Sequence, residues 1–155
     1  MILGIISDTH GYLPPAVLKH LGPVDGILHA GDIGDPRVIH ELEIIAPVYA
    51  ISGNIDSGAV LRDFPPTRVI ELGGYTFFLI HDIVTEKFVR YELFRKRIKP
   101  HIIVHGHTHL PDLKQHGEIL FINPGSVSKP KQNQKGTIVL LKMYDQSLEP
   151  KIIRI

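Results

Sequence analysis

The chain has 155 residues, 43% hydrophobic and 21% charged, with a formal net charge of +1 and no cysteine. This length makes a single domain over 1–155 the default, and the apolar share excludes a disordered or collagen-like chain. The charge balance argues against a stable nucleic-acid partner, and the missing cysteines exclude disulfides, thiolate metal sites and a thiol nucleophile.

Met1 to Ile6 reads as a buried strand running into Ser7-Asp8-Thr9-His10-Gly11. Those polar residues fall where a signal peptide would still be apolar, and no run reaches the ~20 apolar residues of a membrane span. A cytoplasmic protein with no membrane partner is expected. Pro14-Pro15 opens a short helix through Leu21. Gly26 to His29 is a second strand, ending at Ala30-Gly31-Asp32. Asp35-Pro36 supplies an N-cap and a first-turn proline for a helix carrying Val38, Ile39, Leu42 and Ile45. Pro47 to Ile51 is a third strand, ending at Ser52-Gly53-Asn54-Ile55-Asp56. This βαβαβ order predicts parallel pairing with helices outside the sheet.

Arg68 to Leu72 and Tyr75 to Ile80 flank Gly73-Gly74, a two-residue hairpin signal, and the second strand ends at His81-Asp82. Thr85 caps a helix to about Lys99, with Val84, Phe88, Tyr91 and Ile98 on one stripe. The cations Arg95, Lys96, Arg97 and Lys99 suit its C-terminal end and read as a solvated face. Ile102 to Val104 is a strand that ends at His105-Gly106-His107-Thr108-His109. Leu113 to His116 and Ile119 to Ile122 flank Gly117-Glu118 as another hairpin. Asn123-Pro124-Gly125-Ser126 is a turn, and Thr137 to Tyr144 and Leu148 to Ile155 close the chain. The sum is an α/β sandwich with two mixed sheets inside and helices outside.

Five of these strands end at loops carrying Asp8 and His10, Asp32, Asn54, His81, and His107 with His109. Carboxyl ends of parallel strands gather on one edge of a sheet, so these side chains can converge. Imidazole with carboxylate suits Zn, Mn, Fe, Co or Ni rather than Ca or a lone Mg. Seven ligands exceed one tetrahedral ion and suit two divalent ions sharing a carboxylate, the arrangement used for phosphoester hydrolysis. Taken singly, Asp8-Thr9-His10-Gly11, Gly31-Asp32 and Gly53-Asn54 are ordinary turns and His81 a half-buried histidine; Gly106-His107-Thr108-His109 is stronger, because two His at i and i+2 after an apolar strand rarely serve packing, and the ordered set carries the inference. The remaining histidines read as core or positioning residues (His29, His105) or as surface and strand-end residues (His20, His40, His101, His116).

With Asp8-Thr9-His10, Gly31-Asp32, Gly53-Asn54, His81 and Gly106-His107-Thr108-His109 in that order, the chain resembles the calcineurin-like metallophosphoesterase superfamily. His29-Ala30-Gly31-Asp32, Gly53-Asn54-Ile55-Asp56 and Asn123-Pro124-Gly125-Ser126-Val127-Ser128 make it similar to that family's small single-domain bacterial and archaeal phosphodiesterases. The resemblance implies a four-layer αββα sandwich of two mixed β-sheets flanked by helices. It implies Asp8, His10 and His109 on one metal, Asn54, His81 and His107 on the other, and Asp32 bridging. It implies Mn2+ first, with Ni2+, Co2+, Zn2+, Fe2+ or Mg2+ as alternatives, and a homodimer or homotetramer.

Three departures narrow this reading. Ile55 stands where many superfamily phosphatases place a proton-donating His. Asp82 follows His81 in place of Gly. Pro130-Lys131 replaces a Pro-Arg pair, giving up a planar fork for a point charge. The expected activity is hydrolysis of a small phosphodiester by a hydroxide bridging two metals, with Asp32 and Asn54 in the catalytic set. Asn54, Lys129 and Lys131 are candidate substrate contacts. Asp56 is a candidate general acid or, alternatively, a partner that orients a ligand. The competing readings are an interaction scaffold on the same fold, and a phosphomonoesterase or nuclease.

Overall fold

The computed structural model describes residues 1–83, 86–131 and 134–155. Among them, strands β1 (Ile2–Ile6), β2 (Gly26–His29), β3 (Val48–Ala50), β9 (Thr137–Met143) and β10 (Leu148–Arg154) form one sheet in the order β10-β9-β1-β2-β3. Strands β4 (Thr67–Leu72), β5 (Tyr75–Ile80), β6 (Ile102–Val104), β7 (Pro111–His116) and β8 (Ile119–Pro124) form the other, ordered β4-β5-β6-β8-β7. Both are mixed. The runs β1-β2-β3 and β5-β6-β8 are parallel, and antiparallel strands flank each run.

The period-two alternation of strand side chains sorts the core into layers. Leu3 and Ile5 of β1 and Phe77 and Leu79 of β5 meet between the sheets. Ile6 turns outward onto α1 (Pro15–Leu21) and α2 (Arg37–Glu43), packing with Val17, Leu21, Val38 and Leu42. Phe78, Ile80 and Ile103 face the opposite way and pack on Val89 and Leu93 of α4 (Glu86–Lys96). The result is the four-layer sandwich expected, with strands apolar on both faces because both are covered. Gly4 lets α1 approach closely: a Cβ there would collide with Leu21 Cδ2.

Local signals behave as their chemistry requires. Gly73 and Gly74 both adopt positive φ (56° and 81°), as a type I′ hairpin turn demands. Asp35 Oδ1 accepts the Arg37 N–H at 2.9 Å, but the N-cap of α2 is Pro36 rather than Asp35, one residue later than expected. Helix α4 stops at Lys96 rather than Lys99, because Arg97 takes φ 54° and closes a Schellman end. Its N–H groups run Ile98→Leu93 O (2.9 Å) and Arg97→Phe94 O (3.1 Å). The expected apolar stripe of this helix needs correction. Among its described residues Val89 and Leu93 are buried, while Tyr91 is 61% exposed. Val84, the Thr85 cap and the Phe88 side chain lie outside the described residues. Helix α3 (Ala59–Asp63) has five residues, too short a pattern to read from the sequence.

Candidate metal centre

The loops after β1, β2, β3, β5 and β6 bring the predicted side chains to one edge of the sandwich. Five of them do so from backbone that L-residues rarely adopt: Asp8 (φ 55°), His10 (47°), Asp32 (54°), His107 (68°) and His109 (59°). Arg97 is the one other non-glycine residue at positive φ among the described residues. Such strain persists only where surrounding bonds over-determine it, and it concentrates at functional sites.

Those surrounding bonds are identifiable. Asp56 is buried and accepts three backbone N–H groups: Gly53 (2.7 Å) and Ile33 (3.1 Å) at Oδ2, and Gly34 (2.7 Å) at Oδ1. It ties the Asp32 loop to the Asn54 loop, and both its oxygens are occupied by that task. The geometry therefore favours the orienting role over the general-acid role. His29 is fully buried and accepts the Gly31 N–H at Nδ1 (3.2 Å). Its Nε2 lies 2.9 Å from Thr9 Oγ1, which in turn donates to Ile33 O (3.0 Å). Burial drives its pKa down to about 3, so the ring is a neutral strut. Ser126 Oγ donates to Asp8 O (2.8 Å) and Ser128 Oγ to Thr9 O (2.7 Å). These two serines sit in a motif visible in the sequence, but nothing in their spacing announces bonds to the first loop.

The seven candidate ligands gather in two groups joined by Asp32. Ligand atoms of Asp8, His10, Asp32 and His109 all lie within 4.8 Å of one another. His109 Nε2 is 3.1 Å from Asp8 Oδ1, and His10 Nε2 is 3.3 Å from His109 Nε2 and 3.9 Å from Asp32 Oδ2. On the other side, His81 Nε2 is 3.2 Å from Asp32 Oδ1 and 3.1 Å from Asn54 Oδ1. His107 Nδ1 is 2.9 Å from the same Asn54 oxygen. One carboxylate thus offers a separate oxygen to each group. Close approach around it needs glycine, since a Cβ on Gly53 would strike Asp32 and one on Gly106 would strike Ser7 and Asp8.

The donor chemistry fits cations. His81 Nδ1 donates to Ala30 O (2.7 Å) and His109 Nδ1 donates to Lys129 O (2.7 Å), because a carbonyl can only accept. In the neutral ring each Nε2 then presents a lone pair to carboxylate and amide oxygens. Asp8 Oδ1 is buried and has no hydrogen-bond partner among the described residues. Lone pairs converging in a buried site are costly unless a positive charge joins them. The electrostatics say the same. Burial raises the Asp8 pKa despite the Ser7 hydrogen bond and the nearby His81 and His109. Burial also lowers that of His10. For the coupled pair, burial opposes both charges, yet the hydrogen bond between Asp32 and His81 prevails, lowering the carboxylate and raising the imidazole. Without another cation, this cluster draws in a proton.

The remaining predicted residues lie at the rim. Ile55 is 45% exposed, and its N–H donates to Asp32 Oδ1 (3.1 Å). Lys129 is exposed, and its charge helps hold His10 neutral. Lys131 is exposed on the same loop, with no bond to the ligand cluster. The Asp82 carboxylate lies 3.8 Å from His107 Nε2, so it faces a candidate ligand's far nitrogen. His105 is neutral, with burial taking its pKa down to about 4.

Comparison with known proteins places this geometry in context. The family model of the calcineurin-like phosphoesterase superfamily domain matches residues 1–146. A probable metallophosphoesterase of Methanothermobacter thermautotrophicus is 31% identical over 161 residues, covering 99% of this chain and 92% of that protein. Phosphodiesterase YfcE of Escherichia coli K12 is 37% identical over 162 residues, covering 84% of this chain and 82% of YfcE. Among solved structures, wild-type Vps29 of Entamoeba histolytica complexed with Zn+2 has the same fold. Its TM-score is 0.79 at 20% identity, with 99% of each chain covered.

Proposed function

The chain belongs to the calcineurin-like phosphoesterase superfamily, and from that premise we propose that it is a phosphodiesterase acting with two divalent metal ions, Mn2+ first among them. Asp8, His10 and His109 would hold one ion, Asn54, His81 and His107 the other, and Asp32 both. The observation that carries this reading is the split of Asp32, one oxygen toward His10 and the other toward His81. Ions bound there would supply charge to the phosphoryl oxygens and acidify an attacking water.

The chain's own residues set the rest of the chemistry. Ala30 O and Lys129 O hold the rings of His81 and His109 with Nε2 toward the centre, fixing the tautomer before anything binds. Asp56 and His29 hold the loops that carry Asp32 and Asn54. The Ile55 side chain at the rim has no proton to give, which favours a diester whose leaving group departs as a stable anion. Lys129 places a cation beside the centre for the substrate's negative charge.

The test is hydrolysis of bis-p-nitrophenyl phosphate after chelation and restoration of Mn2+, Ni2+, Co2+, Zn2+ or Mg2+ singly. Activity should return with metal and vanish in Asp32→Ala. Failure to bind any of these ions would overturn the assignment and favour a scaffold.

A further inference from the structure

Beside the metal centre, a cavity of about 530 Å³ opens on the outer face of the second sheet. That volume falls in the ~300–1,000 Å³ range of small-molecule sites. Strand alternation explains why it is there. Leu113, Leu120 and Ile122 turn inward to the inter-sheet core, so Asp112, His116, Phe121 and Asn123 turn out. Helix α4 packs on Phe78, Ile80 and Ile103 of β5 and β6 and leaves part of β7 and β8 open.

We propose that this cavity binds the organic arm of the substrate and selects a planar, uncharged aromatic or heteroaromatic ring. This rests on the phosphodiesterase reading above. Three observations carry it. First, the cavity shares a loop with the centre: Thr108, which lines it, stands between His107 and His109, and Asn123 Nδ2 fastens that loop by donating to Thr108 Oγ1 (3.0 Å) and Gly106 O (3.0 Å). The cavity and the centre thus adjoin through one loop, within reach of an ester arm on a phosphate bound at the centre. Second, its floor is a ring surface. Phe121 and His116 meet edge-to-face at 5.3 Å between centroids, with Ile83 and Leu110 at the margin. Such a floor suits a flat ring. Third, the cavity has little charge to offer. Among the described residues, Lys114 Nζ is 2.7 Å from Asp112 Oδ2, so these two charges neutralise each other. An uncharged ring leaves that ion pair undisturbed.

The experiment keeps p-nitrophenolate as leaving group and changes only the other arm: methyl, phenyl or 5′-thymidyl. Each kcat/KM is divided by the hydroxide-catalysed rate of the same ester. The phenyl or thymidyl arm should exceed methyl by about tenfold or more, the scale of one stacked ring. A preference for phenyl alone marks a simple aryl ester, and one for thymidyl marks a nucleotide. His116→Ala and Phe121→Ala should bring the ratio toward one, while Phe121→Tyr retains it. The ratio within one variant is insensitive to general loss of activity. In parallel, amide shifts of Zn2+-loaded protein are compared on adding inorganic phosphate and thymidine monophosphate. Additional shifts over Leu113–Phe121 with the nucleotide support the subsite even if no ester is hydrolysed, an outcome that would sink only the phosphodiesterase reading. Equal normalised rates for all arms, a ratio the alanine variants leave unchanged, or identical shift patterns would overturn this proposal.

Discussion

His109 Nε2 stands 3.1 Å from Asp8 Oδ1, and that buried oxygen has no hydrogen-bond donor among the described residues. Their mutual approach is unfavourable for the bare protein and favourable once a cation sits between them. Added metal should therefore raise the melting temperature, by an amount corresponding to about 2.7 kcal/mol at a metal concentration a hundredfold above Kd. Asp8→Asn should melt at or above the wild type in chelator, since it removes a carboxylate that burial already penalises, yet lose most of the metal-induced gain. Thermal melts with and without chelator check both halves. A variant destabilised in chelator that still gains fully from metal would contradict this account.

Asp56 gives a contrasting prediction, because its work is done with backbone rather than ions. Asp56→Ala leaves the N–H groups of Gly53, Ile33 and Gly34 without their acceptor. Leaving buried donors unsatisfied costs about 1–3 kcal/mol each, so a loss of several kcal/mol is expected. Urea unfolding of metal-free protein measures it. Full stability with a selective loss of the acidic or basic limb of the pH–rate profile would instead restore the general-acid role.

Acid should loosen the fold through two buried histidines. The folded pKa values of His29 (about 3) and His105 (about 4) lie below the ordinary 6.5. The unfolded chain therefore binds more protons than the folded one between those limits. Stability is complete above pH 6.5 and falls as the pH drops toward 4 and then 3, by a few kcal/mol in order of magnitude. Denaturant midpoints in metal-free protein between pH 7.5 and 4 should trace this decline. His29→Gln, though less stable overall, should show a shallower slope. An unchanged slope would mean the acid response resides elsewhere.

Much of this was legible from residue order alone. Strands announced themselves because both sheets are covered on two faces, which leaves apolar runs such as Phe77 to Ile80 punctuated by polar loops. The ligand set was legible because seven Asp, Asn and His residues fall just past strand ends, where nothing about packing calls for them. What stayed hidden depends on three dimensions. Tyr91 continues the helical period of α4, yet among the described residues of that helix Val89 and Leu93 are the ones buried against the sheet. The tie made by Asp56 joins residues 23 apart to a neighbour three away, a convergence no local pattern encodes. Left-handed backbone at Asp8, Asp32 and His107 is invisible as well, because the usual marker of positive φ is glycine and here the ligands themselves adopt it.

Ile55 offers the sharpest test of the chemistry at the rim. Its N–H is bonded to Asp32 Oδ1 at 3.1 Å, and its side chain is 45% exposed beside Asn54, so a polar replacement reaches the same space without entering the core. An imidazole there can donate a proton to a departing oxygen, which isoleucine cannot. The benefit should scale with the leaving group's need. Ile55→His should leave p-nitrophenyl esters nearly unchanged, because p-nitrophenolate departs without help. Alkyl leaving groups should accelerate by up to the order of 10²-fold, the lower end of general acid catalysis. The measurement is the dependence of log kcat/KM on leaving-group pKa across a series of aryl and alkyl diesters. A flatter dependence in the variant places the missing proton at this position. Parallel lines for the two proteins would mean that the proton for the leaving group comes from elsewhere in the site.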